Sequence, residues 1–493
     1  MLTIEVARAP SARPTVVCLP VVDSALVPTE YPLDAALAEE IATFLADTGH
    51  SGKAGTVHSL PRPGRRPQRF LLVGAGERSE SDWRTAGAAV ARAAADSAPT
   101  VTAAVPPDAV RAFAEGAWLA AYRFRPDPER KLHRIRLVSA SGSGASAGSG
   151  ASAGSGPAAS LRDARATVEA TYLARDLTNT PSADKSPAVL AGRVERAAAA
   201  YPGLRVRIRD EAELARERFG GILAVGQGSD RPPRLLEISW RPRGATTHVV
   251  LVGKGIVFDS GGISIKPPEP MRLMRKDMAG AAAVCAATLG AAALRLPVRV
   301  TALAPLAENM VSGAATRPGD VITQYGGLTT EIQNTDAEGR VVLGDALAYA
   351  AARLRPDVLI DLATLTGAQR VALGRSTAAL YATDDDLAAA LASAGHAVGE
   401  PMWRLPLPDE YAPLLRSDVA DLTNAPAPGI AGSIMAAMYL REFTGSARDR
   451  WAHIDMSGPS WIESDEGELV KGATGWGARM LLRYLAGLTV TSS

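Results

Sequence analysis

Between Ser139 and Ser160 every residue is serine, alanine or glycine except Pro157, and the hexamer Gly-Ser-Gly-Ala-Ser-Ala occurs twice, from Gly142 and again from Gly148. Such a stretch has nothing to bury and no apolar period, so it reads as a flexible tether. It divides the 493-residue chain into two parts that must each build a core. The length accommodates two or three domains at ~100–200 residues each.

Residues 1–138 contain short apolar runs with strand character, Thr15–Leu19 and Phe70–Val73, and alanine-rich segments at 84–97 and 108–122 that read as helices. Alternation of this kind predicts a small α/β domain. It carries no metal-ligand cluster or nucleophile motif. Gly74-Ala75-Gly76 is too short for a nucleotide fingerprint and reads as a turn. After the tether, 161–180 reads as a connecting helix. The remainder, 181–493, opens with a helix capped by Ser186 with Pro187 at its first position, running to about Tyr201. Strands are predicted at Arg205–Ile208, His248–Val252, Val298–Leu303 and Val358–Leu362. Helices are predicted at 279–294, 342–354 and 385–396. This is an α/β pattern with a central parallel or mixed sheet flanked by helices. Ligands in such sheets gather at the C-terminal ends of strands.

Bulk composition narrows the function. The net charge of +1 gives no general attraction to nucleic acid or anionic membrane. The local basic run Arg62–Pro67 reads as a solvated loop. Two distant cysteines, Cys18 and Cys285, argue for a reducing compartment rather than a disulfide framework. The N-terminus lacks a basic region followed by an apolar one, and Met278–Leu294 is too weakly apolar for a membrane span. A cytoplasmic protein is expected.

The chemistry concentrates in three segments. The strand at 248–252 runs into Gly253-Lys254-Gly255, then Asp259-Ser260-Gly261-Gly262, then Lys266. Asp277 precedes the alanine-rich helix, and Asn334-Thr335-Asp336-Ala337-Glu338-Gly339-Arg340 precedes the helix predicted from 342. Each acid has an ordinary reading alone: Asp277 as a helix cap, Asp336 and Glu338 as a solvated acidic turn. Two apart in extended backbone, Asp336 and Glu338 would face the same side. Together, Asp259, Asp277, Asp336 and Glu338 would place four negative charges in one region, and they would not all stay ionised without partners. Two divalent cations balance them, and carboxylate oxygens suit Mn²⁺, Mg²⁺ or Zn²⁺. Bridging carboxylates let four acids serve two ions ~3.5–4 Å apart. None of the six histidines forms a zinc-type pair; His453, in the strand-like Trp451–Asp455, reads as a supporting residue.

These blocks, with Asp176–Pro181, Ala224–Ser229, Asp361–Ala368, Trp451–Asp455 and Lys471–Gly475, resemble the leucyl aminopeptidases (cytosol aminopeptidases) over residues 165–485. The resemblance implies a small macro-like α/β domain followed by an α/β catalytic domain. It implies a metalloexopeptidase that removes N-terminal residues, preferentially leucine or other apolar ones, from peptides through a water bridging two metal ions. Lys254, Asp259, Asp277, Asp336 and Glu338 fall on the metal ligands, with Asp259 and Glu338 bridging. Lys266 and Arg340 fall on the catalytic side chains, Lys266 stabilising the oxyanion and Arg340 holding bicarbonate as the general base. Met274, Thr364 and Gly367 fall on the substrate pocket. The metals expected are Mn²⁺ or Zn²⁺, with Mg²⁺ as an alternative, and the assembly expected is a cytoplasmic homohexamer with peptide substrates and neither membrane nor nucleic-acid partner. Ser457 and Ser460 stand where some relatives are more apolar, which leaves the leucine preference open. Trp476 stands where many carry arginine, implying an altered surface or interface contact.

Overall fold

The computed structural model describes residues 1–10, 14–125, 129–139, 156–426 and 430–488. Residues 140–155, most of the expected tether, lie outside the described residues. The tether's far end is corrected: Pro157, Ala158, Ala159 and Ser160 form the first turn of a helix, α1 (Pro157–Asn179). Proline is tolerated in a first turn, where its missing N–H has no partner to lose, and alanine is the strongest helix former.

The chain divides into two compact units, Met1–Glu169 with Glu463–Lys471, and Ala170–Ile462 with Gly472–Ser493. The first is a seven-stranded mixed sheet. Val16–Val22 lies within it, parallel to Thr100–Ala104 on one side and to Arg69–Gly74 on the other. Val17, Leu19, Val21, Phe70 and Leu72 pack on Ile41 and Leu45 of the helix Ala35–Asp47. The helix Glu80–Ala93 starts four residues before the expected position because Ser79 and Asp82 form a capping box. It meets the helix Val110–Ala121 backbone to backbone: a Cβ at Gly87 would lie 2.0 Å from the Phe113 carbonyl oxygen.

The second unit is built on a nine-stranded sheet. Its strands in chain order are β1 (Leu204–Arg209), β2 (Arg234–Trp240), β3 (His248–Gly253), β4 (Gly255–Asp259), β5 (Arg299–Asn309), β6 (Val358–Ala363), β7 (Ala378–Ala382), β8 (Met402–Arg404) and β9 (Trp451–Asp455). Their spatial order is β8-β7-β9-β6-β3-β5-β2-β1, with β4 beside the far end of β5. The centre, β9-β6-β3-β5, is parallel, and antiparallel strands flank it. Alternate residues face opposite layers, as strand geometry requires. Val249 and Leu251 join one core, and Val250 and Val252 the other.

Helix α2 (Pro187–Ala198) starts as expected, with Ser186 accepting from the Val189 N–H. Helix α3 (Ala279–Ala293) is buried on nearly every side, which explains its uniformly small, apolar composition. Glycines seat it: a Cβ at Gly280 would lie 2.2 Å from the Leu362 carbonyl oxygen, and one at Gly253 would lie 2.5 Å from that of Gly280. Helix α4 (Glu338–Tyr349) begins four residues before the expected 342. Trp476 is buried in the core rather than at a surface, which corrects that expectation. Cys18 and Cys285 are free and buried. Among the described residues no helix is long and apolar enough to cross a membrane.

Candidate metal centre

Four parallel strands deliver the site at their C-terminal ends. Lys254 follows β3, Asp259 ends β4, Asn309 ends β5 and Thr364 follows β6. Asp277 enters from the start of α3, and Asp336 and Glu338 from the start of α4. The ligand oxygens of Asp259, Asp336 and Glu338 all lie within 4.8 Å of one another. Lys254 Nζ lies 2.8 Å from Asp277 Oδ2 and 2.8 Å from Glu338 Oε1. It also donates to the Thr364 carbonyl at 3.0 Å. Lys266 Nζ lies 2.8 Å from Asp259 Oδ2 and contacts Asp336 Oδ1. The structure therefore brings six of the ten expected residues into one charge cluster, and Thr364 completes it by donating to Asp277 Oδ1 at 2.7 Å.

Two local expectations change. Asp277 does not cap the helix that follows; Met278 is the N-cap, with no side-chain hydrogen bond. Asp336 and Glu338 are not paired along an extended strand. Glu338 is the first residue of α4, where the positive end of the helix dipole favours a carboxylate. A Cβ at Gly339 would lie 2.5 Å from Cε and 2.7 Å from Nζ of Lys254, so a larger residue there would displace the Lys254 ammonium from the cluster.

The loop between Asp259 and Lys266 is pinned to the Asn334–Arg340 segment. Gly261 and Gly262 take positive φ, +87° and +64°, a region glycine occupies without strain. Thr335 Oγ1 donates to the Gly261 carbonyl and accepts from the Ser264 N–H. Asn309 Nδ2 donates to Asp259 Oδ1 at 2.8 Å, which also accepts from the Gly261 N–H.

The remaining residues stand apart from the charge cluster. Arg340 is buried, and its Nη1 donates to the Asn424 carbonyl at 2.8 Å. Asn424 in turn accepts from the backbone N–H groups of Gln333 and Asn334. Met274 is half-buried in the short turn Met274–Lys276 just ahead of Asp277. Gly367 is exposed at the first position of the helix Gly367–Leu373, where an added Cβ would meet nothing.

Burial is the main cause pushing the carboxyls of Asp259, Asp277, Asp336 and Glu338 above the usual range. Neighbouring carboxylates add to the shift and the lysines oppose it. Burial pulls Lys254 and Lys266 down, but the surrounding acids overcome it and hold both above the ordinary lysine value. Among the described residues, Glu338 Oε2 is buried with no hydrogen-bond partner, and Glu338 Oε1, Asp277 Oδ2 and Asp336 Oδ1 face only lysine ammonium groups. A buried carboxylate oxygen without a donor is costly, and a cation relieves that cost. Four convergent carboxylates supply the oxygen donors that hard divalent ions take, and a bound ion would compete with Lys254 and Lys266 for them.

Several supporting residues escaped the sequence reading. Asn309 and Asn424 orient Asp259 and Arg340, and Thr364 contacts Asp277 and Lys254 directly as well as matching a pocket position. Asp361 sits beneath them, fully buried, accepting from Trp451 Nε1 at 2.8 Å with His453 Nδ1 at 2.5 Å. The signal available for Asn309 is its place as a polar residue ending a long apolar strand.

Residues 172–482 match the cytosol aminopeptidase family, catalytic domain, and residues 18–126 match that family's N-terminal domain. A probable cytosol aminopeptidase of Streptomyces coelicolor is 40% identical over 98% of this chain and 97% of its own length. One from Corynebacterium efficiens is 50% identical over 65% of this chain and 63% of its own length. The solved structure of the bottromycin maturation enzyme BotP in complex with Mn is 35% identical, with a TM-score of 0.82, covering 96% of this chain and 99% of that one.

Proposed function

The chain belongs to the cytosol aminopeptidase family of metal-dependent aminopeptidases, and we propose that it hydrolyses N-terminal residues, leucine and other apolar ones first, from peptides at a two-metal centre. The observation that carries this reading is the convergence of Asp259, Asp336 and Glu338 oxygens within 4.8 Å, with Lys254 joining Asp277 to Glu338. Asp259 and Glu338, each paired with one of the two lysines, would be shared ligands of the metal centre. Asp336 would belong to one site and Asp277 to the other, with Lys254 as a further ligand there once bound dications took the carboxylates that now hold its proton. When bound, Mn²⁺ or Zn²⁺ would polarise the scissile carbonyl and acidify the attacking water.

The chain's own groups divide the remaining work. Lys266 presents a cation beside Asp259 and Asp336, where it would stabilise negative charge developing on the substrate oxygen. Arg340, fixed by Asn424 and free of carboxylate partners among the ion pairs described, would hold a bicarbonate anion as the general base. The segments holding Met274 and Thr364–Gly367 would line the pocket for the N-terminal side chain. Asp277, gripped by Thr364 Oγ1, ties that pocket to the metal centre. A cytoplasmic homohexamer is part of the same proposal, supported by family membership alone; light scattering on the purified protein tests its assembly.

Hydrolysis of leucyl-p-nitroanilide tests the activity. Chelation should abolish turnover, and Mn²⁺ or Zn²⁺ should restore it. Turnover that survives exhaustive metal removal would sink the mechanism. A panel of amino-acid anilides in which leucine is not favoured would overturn the substrate preference only.

A further inference from the structure

Lys185 lies outside the cluster and outside every motif named above, yet its side chain is 1% exposed. Its Nζ donates to three backbone carbonyls: Leu177 at 3.0 Å, Thr178 at 3.2 Å and Arg275 at 2.6 Å. The first two belong to the last turn of α1, whose carbonyls have no partner within the helix. Leu177 is a special case, because the residue four positions on is Pro181, which has no N–H to offer. The third carbonyl belongs to the turn Met274–Lys276, which leads directly to Asp277.

The backbone around Lys185 is equally fixed. It closes the short helix Ser182–Asp184, its N–H bonding the Ser182 carbonyl. Ser186, the next residue, caps α2. The ammonium group is thus delivered from a rigid corner to a point where two separate segments both need a donor. Burial, with the guanidinium groups of Arg275 and Arg193, lowers its pKa to about 7. Even the neutral amine keeps two N–H donors.

We propose that Lys185 is a positioning residue: by joining the C-terminal carbonyls of α1 to the Arg275 carbonyl, it sets where Met274 and Asp277 stand and so tunes one metal site and the adjoining substrate pocket. The inference rests on the two-metal reading, in which Asp277 is a ligand. Groups that orient metal ligands typically alter metal affinity by about 10- to 100-fold when removed.

The test uses the full chain, with Mn²⁺ as the probe. Mn²⁺ binding is measured by calorimetry, kcat and KM on leucyl-p-nitroanilide, and thermal stability in EDTA, for wild type, Lys185→Met, Lys185→Gln and Asp277→Ala. Lys185→Met keeps the length of the side chain and removes its donors. It should weaken one of the two Mn²⁺ sites by about 10-fold or more and raise KM. Lys185→Gln retains two N–H donors and should recover part of both losses. If Lys185→Met lowers only the melting temperature, with Mn²⁺ affinity and KM as in wild type, the positioning role is overturned. If Lys185→Met does not fold, Lys185→Gln decides alone: wild-type Mn²⁺ affinity and KM there overturn the proposal. Normal Mn²⁺ binding by Asp277→Ala would instead sink the two-metal reading and this proposal with it.

Discussion

Glu338 and Glu400 are both buried carboxylates in the same unit, and they are treated in opposite ways. Glu400 Oε1 pairs with Arg479 Nε at 3.2 Å, and Oε2 accepts the N–H groups of Gly477 and Met480 at 3.0 Å each. Asp345, seven residues along α4 from Glu338, is likewise satisfied, accepting the N–H groups of Ile222 and Tyr325 at 2.8 Å each. Glu338 has neither backbone donors nor an arginine. Lys254 Nζ stands 2.8 Å from Oε1, and among the described residues nothing donates to Oε2. A carboxylate whose needs the fold meets is architecture. One set among other acids, with a single lysine on one oxygen and no donor on the other, has an unmet need that a cation can fill.

That contrast predicts different failures. Glu338→Ala should remove bound metal and bring anilide turnover to background while leaving a folded protein in EDTA; retained metal by elemental analysis would place Glu338 with the architectural acids. Glu400→Gln should do the reverse. The buried pairing of Glu400 with Arg479 would lose its charge, at a cost of up to about 3–5 kcal/mol in urea unfolding, with Mn²⁺ affinity unchanged. Between these extremes lies Lys266→Met, which should keep both metals and lose about 10²–10³-fold in kcat. A comparable fall in metal content would show that Lys266 holds the cluster together instead of acting on substrate.

The smallest effect concerns His248, at the start of the strand that delivers Lys254. Its Nε2 meets Thr301 Oγ1 at 3.0 Å, and burial, aided by Arg299, lowers its pKa to about 4. The unfolded value is near 6.5. The folded state therefore favours neutral His248. This stabilisation is full above about pH 6.5 and is lost as the pH falls toward 4. It amounts to at most about 3 kcal/mol. His248→Asn should flatten that part of the stability profile in EDTA; an unchanged slope between pH 6.5 and 4 would assign it to other groups.

Much of the centre was legible because its acids lie in short, glycine-marked segments after apolar strands. The predicted strands leading into it correspond to β3, β5 and β6, and α3 was anticipated to within a residue at its end. What could not be read were partners contributed by distant backbone. The carbonyl of Thr364 holds Lys254, and that of Asn424 holds Arg340; a carbonyl has no residue type to reveal it. The start of α4 was misplaced because Glu-Gly-Arg is a poor local helix signal. Gly339 is there for the close approach of Lys254, a tertiary reason that overrides propensity.

The seat of α3 has a consequence for how such a centre can diversify. Where the backbone of Gly280 lies against the Leu362 carbonyl, there is no side-chain layer to absorb a shift. The Asp277 end of the helix behaves as a keyed joint: a methyl group added at Gly280 must move the helix or the strand. The turn at 364–367 is held differently, its Thr366 N–H donating to the side chains of Asp455 and Ser457, so substitutions around it act through side chains and not by displacing a backbone.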